Sequence, residues 1–365
     1  MQLIHAAAAF LSVSVFAQAP TITVFATNLD NPRGIRVTGE DRVVVAEAGT
    51  GGPNSTIGIC TQLPFPLGPL SGGRTGRAVE VKHNSRKILA DGLASAQTSV
   101  ITGSDIFGAT DVAVLNGETY ILVAAGCSKG DTTFPTAVLR ATNTGAGHPG
   151  YAVFADLSQY FLANLPAVPP PDFDPHGNPF SMTVLNGQLY VMEANHGEIL
   201  RIGANGSVTR VVDFSAAVGD VVPTAIAAGP DGNLYVGSFS LFPYFAGSAN
   251  IYRVTPAGVV TTIDSGLTNV TAIRFDCAGT MYVLESSTGN NATPPFLFPG
   301  TGRISKRTPG GFVPVATGIN LPTGMDISRR GEFFVTDTTY QQGTAPGRGR
   351  ILKIEAGLGE QSCKN

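Results

Sequence analysis

Residues 223–240 read PTAIAAGPDGNLYVGSFS, and this stretch decides the fold. Pro223-Thr224-Ala225-Ile226 opens an apolar strand, which leads to Gly229-Pro230-Asp231-Gly232. There glycine supplies the positive φ of a tight turn. A second apolar run, Leu234-Tyr235-Val236, follows and ends in small polar residues. Two strands joined this way predict a hairpin. The pattern occurs six times. The other first strands begin Pro32-Arg33-Gly34-Ile35, Ala109-Thr110-Asp111-Val112, Pro179-Phe180-Ser181-Met182, Val270-Thr271-Ala272-Ile273 and Pro322-Thr323-Gly324-Met325. The copies start at 32, 109, 179, 223, 270 and 322, at steps of 77, 70, 44, 47 and 52 residues. Third strands such as Ile251-Tyr252-Arg253-Val254 and fourth strands such as Gly258-Val259-Val260-Thr261 complete the later units. Four short strands in a unit of about 45 residues make a propeller blade. The expectation is an all-β chain, a six-bladed β-propeller with four antiparallel strands per blade. The extra length of the first two units is loop insertion.

Composition agrees. The chain has 365 residues, 43% of them apolar and 13% charged, with a net charge of −3. Such a charge carries no basic field for nucleic acid. Forty-five glycines and 25 prolines supply frequent turns, while the apolar share is too high for a disordered chain. Beyond the first twenty residues no apolar run reaches the about 18 residues needed to span a bilayer. The expected partner is a small aromatic or terpenoid ligand, with neither nucleic acid nor membrane, and the expected state is a monomer.

The start of the chain reads as an export signal. Leu3 to Ala19 is an apolar run with small residues that lacks a basic flank, and Val15-Phe16-Ala17 offers a cleavage triplet. The expected organisation is a signal peptide over 1–19, cut after Ala17 or Ala19, a propeller over 20–357 and a tail over 358–365. Export accords with Asn-x-Ser/Thr sequons at Asn54, Asn205, Asn269 and Asn291, taken as glycosylation sites. Four cysteines without the close pairing of a zinc site are expected to form two disulfides. By the placement of the loops these are Cys60–Cys127, in adjacent blades, and Cys277–Cys363, pinning the tail. The protein is therefore expected in the extracellular space or secretory pathway.

Strand order defines two faces. The start of each first strand and the end of each second strand lie on one face, the mouth, with the long aromatic loops. Short polar turns are expected on the other. Phe180, Thr224, Phe242, Tyr244, Phe298 and Tyr340 are the substrate-binding candidates. The ends of the second strands place Glu47, Glu193, Glu285 and Asp337 at equivalent positions. They form either an acid–base or cation site, with calcium as the ion, or clasps that accept N–H bonds from their own loops. Arg33, the only cation at a first-strand start, would hold a ligand oxygen or pair with Glu47. His196 is either a general base or a solvated loop histidine. These six are the catalytic candidates. No cofactor fingerprint or phosphate loop is present.

Val222-Pro223-Thr224-Ala225-Ile226 through Gly237, Phe242-Pro243 and Ala249-Asn250-Ile251-Tyr252-Arg253-Val254 together resemble the ScyD/ScyE-type propellers. Asn31-Pro32-Arg33-Gly34, Gly266-Leu267-Thr268-Asn269 and Leu321-Pro322-Thr323-Gly324 match the same pattern, which covers about residues 21–356. The resemblance implies an exported propeller tied to aromatic natural products, in the wider NHL/SMP-30-like superfamily. Asp276-Cys277-Ala278-Gly279 and Ser328-Arg329-Arg330-Gly331 depart from its Pro-Asp-Gly turn. A lactonase-type metal site is disfavoured, because only Asp111 among the equivalent first-strand positions has a ligating side chain. In build alone the chain is also similar to fungal propeller hetero-Diels–Alderases. The expected function is a cofactor-free tailoring enzyme of secondary metabolism that performs a cyclisation or cycloaddition. The alternatives are a non-catalytic binding propeller and a hydrolase or lyase using the mouth carboxylates.

Overall fold

The computed structural model describes residues 19–359, apart from 66, 84, 99–104, 144–148, 292, 294–295 and 338–344. Almost all of the expected signal peptide, most of the expected tail, Tyr340 and Cys363 lie outside the described residues.

Six small antiparallel sheets form a closed ring, the six-bladed propeller of the sequence reading. Blade one comprises Pro32–Gly39, Arg42–Glu47, Ser71–Lys82 and Ser85–Gln97, with a short fifth strand, Ile106–Phe107. Blade two is Ala109–Leu115, Glu118–Val123, Ala137–Asn143 and Pro149–Asp156. Blade three is Pro179–Leu185, Gln188–Glu193, Glu198–Ile202 and Val208–Asp213. Blade four is Val222–Ala228, Leu234–Phe239, Ala249–Val254 and Val260–Leu267. Blade five is Val270–Phe275, Met281–Glu285, Gly302–Thr308 and Gly311–Ile319. Blade six takes three strands from the end of the chain, Met325–Ile327, Glu332–Asp337 and Gly349–Glu355, and its outer strand from the beginning, Thr21–Leu29. The repeat count did not foresee that outer strand. It pairs Thr21 with Glu355 and Leu29 with Gly349, so the two ends of the chain share one sheet.

The first strand of each blade touches the first strands of its two neighbours, and these six inner strands surround the axis. Apolar side chains alternate to both sheet faces, so the core lies in layers between blades. Between blades one and two, for instance, Val44, Ala78, Leu93, Val112 and Ile121 pack together. Five inner strands share one irregularity. Pairing slips near the start of the strand, as where Pro223 faces Ser238 but Ala225 faces Gly237. The same slip follows Pro32, Ala109, Pro179 and Val270. A bulge re-aims the skipped side chain. Thr224, a skipped residue, donates its hydroxyl to the Val270 carbonyl of the next blade, and Thr271 does the same to Pro322. Thr323, at the equivalent position of blade six, closes the ring onto Pro32. The recurring threonine is a staple between blades.

Candidate functional site

The four second-strand acids act as clasps. All are buried. Glu47 accepts the Asp30 N–H at 2.6 Å and pairs with Arg86; Glu285 accepts the Thr268 N–H at 2.9 Å and pairs with Arg303. Asp337 accepts the Asn320 N–H at 2.8 Å and pairs with Arg350. Glu193 takes three backbone N–H groups, from Asn178, Asn195 and His196. Each acid ties the end of its second strand to the segment that enters its own blade. Burial holds the Glu47 carboxyl above the usual carboxylate range, against the pull of Arg86 and the Asp30 N–H. Among the described residues no group of three or more His, Cys, Asp or Glu is placed to hold a metal ion. The geometry is that of the clasp reading, and leaves these four acids without an open face for substrate.

Arg33 does not pair with Glu47. Its Nη2 donates to the Ile106 carbonyl at 2.6 Å and lies 3.8 Å from Asp105, because the strand start turns it toward the short fifth strand. His196 is not a solvated loop residue either. It is buried, stacked on Phe173 and met edge-on by Phe161. Its Nε2 faces the Asp174 carbonyl at 2.7 Å and its Nδ1 lies 3.3 Å from Glu198 Oε1. A carbonyl oxygen can only accept, so Nε2 carries a proton, and the carboxylate favours a second one on Nδ1. Burial opposes the charge, but Glu193, Glu198 and the Asp174 carbonyl outweigh it and raise the imidazole above its usual value. This is a buried, structurally held histidine with no open side for a general base.

The aromatic candidates divide. Phe242 and Tyr244 meet edge to face, Tyr244 meets Phe239, and Phe242 meets Phe296 of blade five. Asn290 donates to the Pro243 carbonyl at 2.6 Å, and Ser240 to the Thr268 carbonyl, also at 2.6 Å. The first bond pins the blade-four loop against the blade-five loop that carries Phe298, and the second ties it to the connection into blade five. Phe180 stands apart, at the axis. Thr224 is not a substrate residue in this geometry, since its hydroxyl is buried in the staple to Val270. Among the sequons, Asn54 and Asn205 are exposed and Asn291 is half-buried. Asn269 is fully buried with its amide oxygen on the Ser240 N–H, so the folded chain has no room for a glycan there. The Cys60–Cys127 disulfide is formed as expected. Cys277 is disulfide-bonded, while its expected partner, Cys363, lies outside the described residues.

Sequence reasoning missed the axis. Arg36 of blade one and Arg274 of blade five, four residues into their inner strands, reach the centre with Asp111 and Asp326. Two arginines at a position that the other blades fill with Ala113, Thr183, Ala227 and Asp326 were the available signal. The turn face also holds a cavity of about 310 Å³, where only short polar turns were expected.

No family model matches the chain, and no curated protein matches it. Solved structures do. A structure named as a glucose dehydrogenase from Thermus thermophilus has a TM-score of 0.55 at 13% identity, over 92% of this chain and 100% of that one. The luciferin-regenerating enzyme has a TM-score of 0.54 at 9% identity, over 94% and 98%. A structure named as a gluconolactonase has a TM-score of 0.53 at 10% identity, over 94% of each. At such identities the likeness shows the fold alone, a six-bladed propeller.

Proposed function

We propose that this propeller acts outside the cell and binds an apolar aromatic or isoprenoid small molecule on the mouth loops of blades four and five. One observation carries the reading: Leu241, Phe242 and Phe245 are 44%, 60% and 64% exposed on a loop that hydrogen bonds hold in place. An exposed apolar cluster on a fixed loop favours a ligand with a flat or branched hydrocarbon face. The Cys60–Cys127 disulfide supports an oxidising compartment. In its finer form the reading is a cofactor-free cyclisation or cycloaddition in secondary metabolism, where the loops would hold the reacting ends together. The burial of Glu47, Glu193, Glu285 and Asp337 favours this over hydrolysis by the carboxylates.

A thermal-shift screen with aromatic polyketides and sesquiterpenoids tests it, each compound with and without a chelator. The expected outcome is stabilisation that follows ligand concentration, is indifferent to chelator, and is lost in a Phe242→Ser/Phe245→Ser variant whose own melting temperature is unchanged. Product formation from the stabilising compounds without added cofactor then tests the catalytic form. Stabilisation that survives the double substitution, or none from any compound, overturns the proposed site.

A further inference from the structure

The last residues of the inner strands enclose the cavity of about 310 Å³ on the turn face, at the lower end of the range for small-molecule sites. Its lining mixes polar and apolar surface, with Val37, Ala113, Val184, Ala227, Ala228 and Phe275 beside Thr183, Arg36, Arg274 and Asp326. Its floor is charged. Arg36 donates to Asp111 at 2.9 Å and to the Ile35 and Met182 carbonyls. Arg274 donates to Asp326 at 3.0 Å and to the Ile273 carbonyl. Both acids are engaged elsewhere as well. Asp111 also accepts the Val112 and Met182 N–H groups, and Asp326 the Val37 N–H. Arg274 Nη2 has no hydrogen-bond partner among the described residues. Above the arginines the axis narrows to a void of about 10 Å³, room for no more than a water, so the guanidinium groups close the cavity.

The two cations act on each other. Burial and then the charge of Arg36 push Arg274 below the usual arginine value, against the pull of Asp326 and Asp111. A forked donor with an open Nη2, held near a second one at the end of a cavity of mixed polar and apolar lining, matches a planar anion. Two arginines and two aspartates balance in charge, so a monoanion suits the site better than a dianion. We propose that this cavity binds a small molecule with a partly apolar body and a terminal carboxylate, and that the carboxylate lies between Arg36 and Arg274. The body would rest on the strand ends and point to the turn face. This ligand and its cavity are independent of the aromatic mouth.

Titration calorimetry with benzoate, 4-phenylbutyrate and decanoate, each against its primary amide and against inorganic phosphate and chloride, tests the site. At least one acid should bind about tenfold tighter than its amide, a difference of about 1.4 kcal/mol. Added salt should weaken it. Arg274→Gln should bring acid and amide to equal affinity. Because that variant also loses the bond to Asp326, Ala228→Leu serves as the second: it narrows the cavity without touching a charge, and should exclude the longer acids at an unchanged melting temperature. Binding should persist in Phe242→Ser/Phe245→Ser. Equal affinity for acid and amide, no binding of any acid, or phosphate or chloride binding as tightly as the acids would each overturn the proposal.

Discussion

At the scale of single residues, the same side chain types do different work depending on where the bulge aims them. Thr224, Thr271 and Thr323 each stitch one blade to the next, and a hydroxyl lost there leaves a buried carbonyl short of a partner. His196 makes a pH prediction. The groups facing it are Glu193, Glu198 and the Asp174 carbonyl, with Arg210 bonded in turn to Glu198. Its imidazole is raised in the folded state, so the fold binds the proton more tightly than the unfolded chain does. Stability from this group is complete below the unfolded value of about 6.5 and is lost as pH rises through the higher folded value. Urea midpoints measured between about pH 6 and pH 9 should therefore fall for the native chain and fall less for His196→Gln. Parallel curves would mean that the histidine is neutral in the fold.

At the scale of elements, the inner strands are built for close approach at the axis. A Cβ added at Gly34 would lie 1.8 Å from Asp111 Oδ1 and 2.7 Å from the Asp111 backbone. Neither can yield without disturbing the Arg36–Asp111 pair. Gly34→Ala should cost about 3 kcal/mol or more, read as a lower denaturation midpoint, and should weaken any carboxylate binding at the axis. An unchanged midpoint would show that the two inner strands can move apart freely. The second strands follow another rule: four end in an acid and blade four's carries Ser238, each tied to a backbone amide, while blade two's ends in Val123. That repetition was legible as a ring of carboxylates. Whether the ring opened to solvent depended on which amides and arginines lay beside it, and residues 17 apart, such as Thr268 and Glu285, meet only once the blade is folded.

At the scale of the whole molecule, closure depends on contacts between distant parts of the chain. Thr21–Leu29 completes the last blade with Gly349–Glu355, so neither end of the ring is left as an open sheet edge. Cys60–Cys127 joins loops of blades one and two across 67 residues. In the chain-entropy treatment a loop of that length contributes about 4 kcal/mol. Cys60→Ala/Cys127→Ala should lower the unfolding free energy by an amount of that order, measured by denaturant titration. A change under about 1 kcal/mol would mean that the packing of blades one and two already restrains the loops.

The repeat spacing and the alternation of apolar residues determined the all-β class, the six inner hairpins, the two faces and one disulfide, because these follow from local periodicity and from turn chemistry. Tertiary structure alone decided that Thr21–Leu29 closes the ring, that His196 and Asn269 are buried, that Arg33 turns away from Glu47, and that Arg36 and Arg274 meet over a cavity on the turn face. Each of these joins residues far apart along the chain. Arg36 and Arg274 lie on blades one and five, and nothing in the local pattern around either one states that the closed ring will point both at the same axis.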